Sequence, residues 1–313
     1  MSRVEIFMKR CHSFGLLYTI RMYIVKNLCG SNEYKKLLLS FIRDYFKDEI
    51  NATNQYINNS EVNDIKQYVW TMWWQGEDAL PEVLKICYNS HLKYIDSDKY
   101  QYTMITKDNY SDYVDVPEYI IEKLNRGIIS FTHFSDLLRV MLVRKYGGAW
   151  IDITLLMQAP LNPHIFNYTF YSFNQKGSNC IPCGFGQSIT QCQWAGFFLC
   201  SSLPNSTLFR FLESCLIKYW EEFDYTIDYF LLNLIIRLGY LEVSSIQQVI
   251  NEIPQNNEKL YGLQPLMNTP YEESIMSCLC SNTHFFKLTQ KVNYKEIKGK
   301  NKTFYNELKS RLL

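Results

Sequence analysis

Phe131-Thr-His-Phe-Ser-Asp136-Leu-Leu-Arg139-Val-Met-Leu-Val-Arg-Lys-Tyr-Gly147-Gly148-Ala-Trp150-Ile-Asp152-Ile-Thr154 reads as a helix, a glycine break and a short buried strand ending in one carboxylate. Phe131, Phe134, Leu138, Met141 and Leu142 recur at helical spacing, and Leu137, Val140 and Val143 make other sides apolar too, so most of this helix is expected to be buried. A charge inside so apolar a helix is costly unless it is paired. Asp136 and Arg139, at i and i+3, share one flank and should pair with each other or meet a ligand. Gly147 and Gly148 end the helix where the chain must turn sharply and approach other groups closely. The strand after them carries Asp152 to its C-terminal end, the edge where open α/β sheets hold their ligands.

Upstream, Gln67-Tyr-Val-Trp70-Thr-Met-Trp73-Trp74-Gln75-Gly76 reads as a first strand and its loop, 81–90 as a helix and 101–106 as a second strand, and another helix opens at Pro117. Strand, helix, strand, helix, helix, strand is an α/β sheet in the making. It holds no Gly-x-Gly-x-x-Gly and no P-loop, which leaves a metal or basic side chains to grip a diphosphate. Downstream, 168–173 and 196–200 read as further strands, with Trp194 just before the second. Asn205 caps a helix running to Trp220, and a second helix covers about 226–238.

Ser-Asp-x-x-Arg, a Gly-Gly pair, an aromatic and an Asp-x-Asp-like end form a set that resembles the DXD-type glycosyltransferases of the GT-A fold. With Trp-Ile-Asp-Ile-Thr the chain is most similar to the bacterial capsular polysaccharide synthesis glycosyltransferases, relatives of the large clostridial glucosylating toxins. The Trp-rich first strand followed by Pro81 and a helix bearing Cys87 fits the same family, as do Asp228-Tyr229-Phe230 and a closing Thr283-His284-Phe-Phe-Lys287 block. The resemblance covers roughly residues 67–290. It implies a GT-A-like α/β sheet that binds a nucleotide sugar, flanked by helices. It places Asp136 and Arg139 on the donor sugar, Asp152 on a divalent metal (Mn²⁺ or Mg²⁺), and Lys287 on the diphosphate. Thr154 stands where the second Asp of DXD belongs, and a hydroxyl is a poorer metal ligand than a carboxylate. His284 is the candidate third metal ligand. Trp70, Trp73, Trp74 and Gln75 of the first strand and its loop, Gly148 and Trp150 of the central block, and Trp194 are the remaining substrate-binding candidates. For any one tryptophan the rival reading is a wedge in the core. A retaining enzyme needs no strong base; for an inverting one Asp228 is the candidate, its rival role being an N-terminal turn residue favoured by the helix dipole.

With 32 Lys and Arg against 31 Asp and Glu the net charge is +1, which argues against nucleic acid as the main partner. A 16% aromatic share suits a protein that stacks on sugars or bases. The ten cysteines are irregularly spaced and read as reduced thiols, and Cys180-Ile-Pro-Cys183 is a lone pair without a partner pair at zinc-site spacing. Three regions are expected: 1–64, a basic helical region and an Asn-rich linker; 65–290, the transferase domain; and 291–313, a basic tail. The apolar run from Phe14 to Val25 is broken by Arg21, is too short to span a bilayer, and has no cleavage site after it. It is either a helix lying on an anionic membrane, with Leu16, Leu17, Ile20 and Ile24 inward, or a helical hairpin packed on the domain. Without a secretory signal, the sequons at Asn51, Asn58, Asn167, Asn205 and Asn301 read as coincidental. The expected protein is cytoplasmic and peripheral on the inner face of the membrane, moving sugar from a UDP-sugar to a lipid-linked oligosaccharide. The alternatives are a toxin-like protein glycosyltransferase and a non-catalytic nucleotide-sugar-binding module.

Overall fold

The structure is a computed structural model, and it describes residues 2–56, 67–177 and 184–313. Four helices open the chain: α1 (Arg3–Phe14), α2 (Leu16–Ile24), α3 (Ser31–Tyr45) and α4 (Lys47–Gln55), with a π-helical turn at Val25–Cys29 between α2 and α3. Then come β1 (Gln67–Met72), α5 (Glu82–Tyr94), β2 (Tyr100–Ile105), α6 (Glu118–Asn125), α7 (Phe131–Tyr146), β3 (Gly148–Ile151) and β4 (Leu155–Met157). The second half holds α8 (Phe185–Thr190), β5 (Phe198–Ser201), α9 (Thr207–Glu222), α10 (Leu231–Glu242), α11 (Ser244–Asn251), α12 (Glu273–Cys280), β6 (Phe285–Lys287), β7 (Ile297–Lys298), β8 (Asn301–Lys302) and α13 (Phe304–Leu312).

The central sheet has the order β2-β1-β3-β5, the first three strands parallel and β5 antiparallel to β3. This is the expected α/β sheet flanked by helices, and its one antiparallel strand makes it mixed. β1 and β3 are buried on both faces, as parallel strands covered by helices must be. α7 is the central cover: its residues from Leu137 to Val143 are all buried, and its N-cap Ser130 accepts the His133 N–H. Because a crossover helix runs against its strands, the N-terminal half of α7 lies at the carboxyl edge of β1 and β3. Gly148 has φ +86°, and a Cβ there would fall 2.2 Å from the Tyr68 carbonyl oxygen. Only glycine lets β3 lie so close to β1.

Several expectations change. Residues 168–173 form no strand; Tyr171 makes one bridge to Cys200. Ser206, not Asn205, occupies the cap position of α9, because Asn205 adopts φ +53° and gives its N–H to the Arg144 carbonyl. The second helix starts at Leu231, after the Asp228-Tyr229-Phe230 turn. The last residues are no separate tail: Phe304, Tyr305 and Leu308 of α13 are buried, and Asn89 of α5 donates to the Leu312 carbonyl. In the N-terminal region α3 and α4 pack against α8, α9 and α10, as the hairpin reading requires, while the outer face of α1 and α2 stays exposed. Cys11, Cys29, Cys87, Cys200, Cys215, Cys278 and Cys280 are free thiols, Cys192 is disulfide-bonded against expectation, and the Cys180–Cys183 pair lies outside the described residues.

Candidate functional site

Asp152 sits in the turn that joins β3 to β4, at the carboxyl edge of the sheet. Its backbone N–H donates to the Phe197 carbonyl, and its Oδ1 accepts the Thr154 N–H at 3.2 Å and the Thr154 hydroxyl at 3.1 Å. This is the tight turn an Asx side chain stabilises. β4 then pairs antiparallel with β6, and their register sets Lys287 opposite Leu155. Lys287 Nζ thereby lies 3.3 Å from Asp152 Oδ2 and contacts Thr154 Oγ1.

From the other side comes α7. Arg139 Nη1 is 3.2 Å from Asp136 Oδ1 and also meets the Gly196 carbonyl, Nε donates to the Ser135 carbonyl, and the guanidinium lies 5.0 Å from the centre of the Trp150 ring. Burial pushes the Asp136 carboxyl up, and the Arg139 charge only partly offsets it. Burial acts on Asp152 too, but there Lys287 and Arg139 together outweigh it and hold the carboxyl below the usual aspartate range. The pairing expected for Asp136 and Arg139 is therefore present, at the point where Asp152 arrives.

Two cavities meet at this cluster. The larger, about 970 Å³, runs from Trp73, Trp74 and Gln75 after β1, past Phe131 and Ser135, to Gln264, Asn268, Thr289 and Lys291. The smaller, about 370 Å³, is bounded by Asp136, Gln175, Phe185, Trp194, Gly196 and Asn233. Thr132, Arg139, Asp152, Tyr229, Tyr261 and Lys287 line both. Arg139, Lys287 and Lys291 face the larger cavity, and Asp152 is the one carboxylate among its described lining residues. Such a surplus of positive charge in a partly desolvated cleft suits an anion. Trp74 packs edge-on against Phe134, and its neighbour Phe131 is half exposed, so this wall offers an aromatic surface to a planar group.

Of the residues singled out in the sequence, Trp73, Trp74, Gln75, Asp136, Arg139, Asp152, Thr154, Trp194 and Lys287 line one or both cavities. Four do not. Trp70 and Trp150 are opposite one another on adjacent strands and fully buried, Trp70 stacking on Tyr68, so they are core residues; Trp150 reaches the site only through Arg139. Gly148 acts through backbone closeness to Tyr68. Asp228 is buried and turned into the fold, where it accepts the Tyr34 hydroxyl at 3.3 Å and the Phe230 N–H at 3.1 Å; its neighbours Tyr229 and Phe230 are the ones that line the smaller cavity. His284 is exposed, lies beyond the far end of β6 from Lys287, and lines a separate depression with Asn162 and Asn257.

A divalent metal can be tested against these donors. With His284 elsewhere, the set is one carboxylate and one hydroxyl, and Thr154 is already hydrogen-bonded to Asp152 while the Lys287 ammonium contacts both. No group of three or more His, Cys, Asp and Glu converges to hold a metal among the described residues. Hard divalent cations require several oxygen donors. The described residues alone supply too few oxygen donors to hold a divalent metal without substrate phosphates or water, and the positive charge beside Asp152 belongs to a lysine.

Sequence reasoning missed Tyr229, Tyr261, Gln264, Asn268, Thr289 and Lys291. Tyr229 carried a signal, since it lies inside the Asp228-Tyr229-Phe230 block; the others sit on loops with no local pattern.

Comparison with curated proteins gives no match. Among solved structures, the apo form of the bifunctional glycosyltransferase WbbM is similar at a TM-score of 0.39 and 11% identity, over 82% of this chain and 50% of that one, so the chain spans about half the length of that structure. The model of the family described as capsular polysaccharide synthesis protein matches residues 21–308, nearly the whole chain, and the chain therefore belongs to that family.

Proposed function

We propose that this protein is a glycosyltransferase that moves a sugar from a nucleotide-diphosphate sugar, a UDP-sugar in the first instance, to a lipid-linked oligosaccharide of a surface polysaccharide. The observation that carries the reading is the junction of two cavities at Asp152, Arg139 and Lys287, within a chain of the capsule synthesis family. The larger, cationic cavity takes the nucleotide and its diphosphate. The base lies near Trp74 and Phe131, and Lys287 and Lys291 meet the phosphates. The sugar sits at the junction, its hydroxyls held by Asp136 and Arg139, and the acceptor enters by the smaller cavity past Tyr229.

In the reaction the bond between the anomeric carbon and the diphosphate oxygen breaks, its electron pair leaving with the diphosphate. The Lys287 ammonium meets that developing charge, which is the largest lever a preorganised site has. The acceptor hydroxyl bonds to the anomeric carbon, and positioning two reactants in one cleft can supply up to about 7–11 kcal/mol. Asp136 and Asp152, the carboxylates among the described cavity residues, are both engaged by cations, and Asp228 faces away. That arrangement favours a retaining course, in which the departing phosphate oxygen takes the acceptor proton and no separate base is needed. A lipid-linked acceptor places the enzyme on the inner face of the cell membrane.

The test is transfer of labelled sugar from a panel of nucleotide sugars to bacterial membranes. Label that becomes extractable into organic solvent supports the reading. Label that enters acid-precipitable protein instead makes this a protein glycosyltransferase, and nucleotide-sugar binding without transfer or hydrolysis makes it a binding module.

A further inference from the structure

α2 is apolar on two faces. Thr19 and Met22 are buried beneath it, while Leu16, Leu17, Ile20, Tyr23 and Ile24 face solvent. Leu17 is 84% exposed, Leu28 of the π-helical turn 80%, and Val4 and Met8, one turn apart on α1, 71% and 63%. These eight side chains are half of the large exposed hydrophobics among the described residues, gathered into one short segment. A helix apolar all round belongs inside a protein or in a lipid environment, and a patch of this kind on a soluble surface marks an interaction site.

Charge says which. Arg3, Lys9, Arg21 and Lys26 are exposed around the patch, Arg21 beside Ile20 and Lys26 between Ile24 and Leu28. Glu5 is the one acidic residue from 2 to 29, and it is occupied in the capping box of α1 with Ser2. A protein interface of this hydrophobicity keeps charges away from its centre. A second copy would set the same basic side chains against one another across the twofold axis. A membrane surface accepts the pattern: apolar side chains enter the acyl boundary and Lys and Arg reach the headgroups.

We propose that the outer face of α1, α2 and the π-helical turn is a docking surface for an anionic lipid bilayer. This deepens the reading above, in which the acceptor is lipid-linked. The surface is tied to the acceptor cavity through α3: Tyr34 gives its hydroxyl to Asp228, and Lys35 donates to the Ser188 carbonyl at 3.0 Å in α8, whose Phe185 lines the cavity. α3 thus links the docking surface to the elements that wall the acceptor cavity.

The full chain is sedimented with phosphatidylcholine vesicles, with and without phosphatidylglycerol, with no donor or acceptor present, so that the result stands apart from the glycosyltransferase reading. The expected result is binding to the anionic vesicles, weakened by salt, and lost by about tenfold or more in Leu17→Glu/Leu28→Glu, whose side chains no longer partition into the bilayer. Arg21→Glu/Lys26→Glu should lose the preference for anionic lipid. Thermal melting and the circular dichroism spectrum, unchanged in both variants, show that they remain folded. If the natural chain does not sediment, or if the variants bind as well as it does, the proposal is overturned. A natural dimer that ignores vesicles and becomes monomeric in Leu17→Glu/Leu28→Glu overturns it in favour of a second copy on this face.

Discussion

Replacing Lys287 by Met keeps the length of the side chain and removes its charge. In the structure Nζ lies 3.3 Å from Asp152 Oδ2 and contacts Thr154 Oγ1, with the side chain 23% exposed. A charged hydrogen bond in such a site contributes about 1.5–3 kcal/mol. Two charges some 4 Å apart at an effective dielectric near 20 interact by roughly 4 kcal/mol. Removing the ammonium also leaves Asp152 facing the diphosphate with one cation fewer, so kcat/KM for the donor should fall by about 10²-fold, or ~2.7 kcal/mol. Lys287→Arg, which keeps the charge, should recover part of the loss. The assay is release of free sugar from the cognate nucleotide sugar, alongside calorimetric binding of the nucleotide diphosphate, each in EDTA and in manganese. Natural protein should bind and turn over in EDTA. Lys287→Met with natural kcat/KM, or natural protein whose nucleotide binding vanishes in EDTA and returns with manganese, would refute the assignment of the resident cation to this lysine.

Three further outcomes follow from single residues. Asp228→Asn keeps an acceptor oxygen for Tyr34 and Phe230 and should leave kcat within about threefold, whereas loss of a true general base costs on the order of 10²–10⁴-fold. Gly148→Ala must relieve a 2.2 Å approach to the Tyr68 carbonyl at φ +86°, so urea unfolding should show a loss of about 3 kcal/mol or more, or no folded protein. His91, fully buried with contacts to Tyr102 Oη at 2.7 Å and the Leu155 carbonyl at 2.6 Å, has its pKa pushed down from 6.5 to about 4 by burial. Between those values the unfolded chain binds the proton and the folded chain does not. Stability should therefore fall by up to about 3 kcal/mol as pH drops through that window, and the slope should flatten in His91→Gln.

What could be read from the sequence, and what could not, divides along physical lines. Asp136, Arg139 and Asp152 stand out because charges in an apolar helix and at the end of an apolar strand need partners, and the structure brings all three to one cleft. The glycine pair and the strand-helix order likewise carry their own geometry. Trp70 and Trp150 misled because both strands are buried on both faces: with no polar alternation, nothing in the sequence says whether a tryptophan faces a cleft or a helix. His284 and Lys287 are three residues apart in one block, yet the register of β6 on β4 sends only Lys287 to Asp152. Such long-range register is not written locally. Tyr261, Gln264 and Asn268 come to the cleft on a loop between α11 and α12, where composition gives no hint of destination. The N-terminal region combines features of both readings without deciding between them, since α3 and α4 pack on the domain while α1 and α2 keep an apolar face outward.

The most direct test of the account is release of free sugar by purified protein from a panel of nucleotide sugars, natural chain against Asp152→Ala, with nucleotide-diphosphate binding measured on the same samples. Slow hydrolysis of one donor by the natural chain, abolished in Asp152→Ala while the variant stays folded, is the result predicted by a transferase site built at Asp152, Arg139 and Lys287. A natural chain that neither binds any nucleotide diphosphate nor hydrolyses any donor, or an Asp152→Ala variant as active as the natural chain, would contradict it.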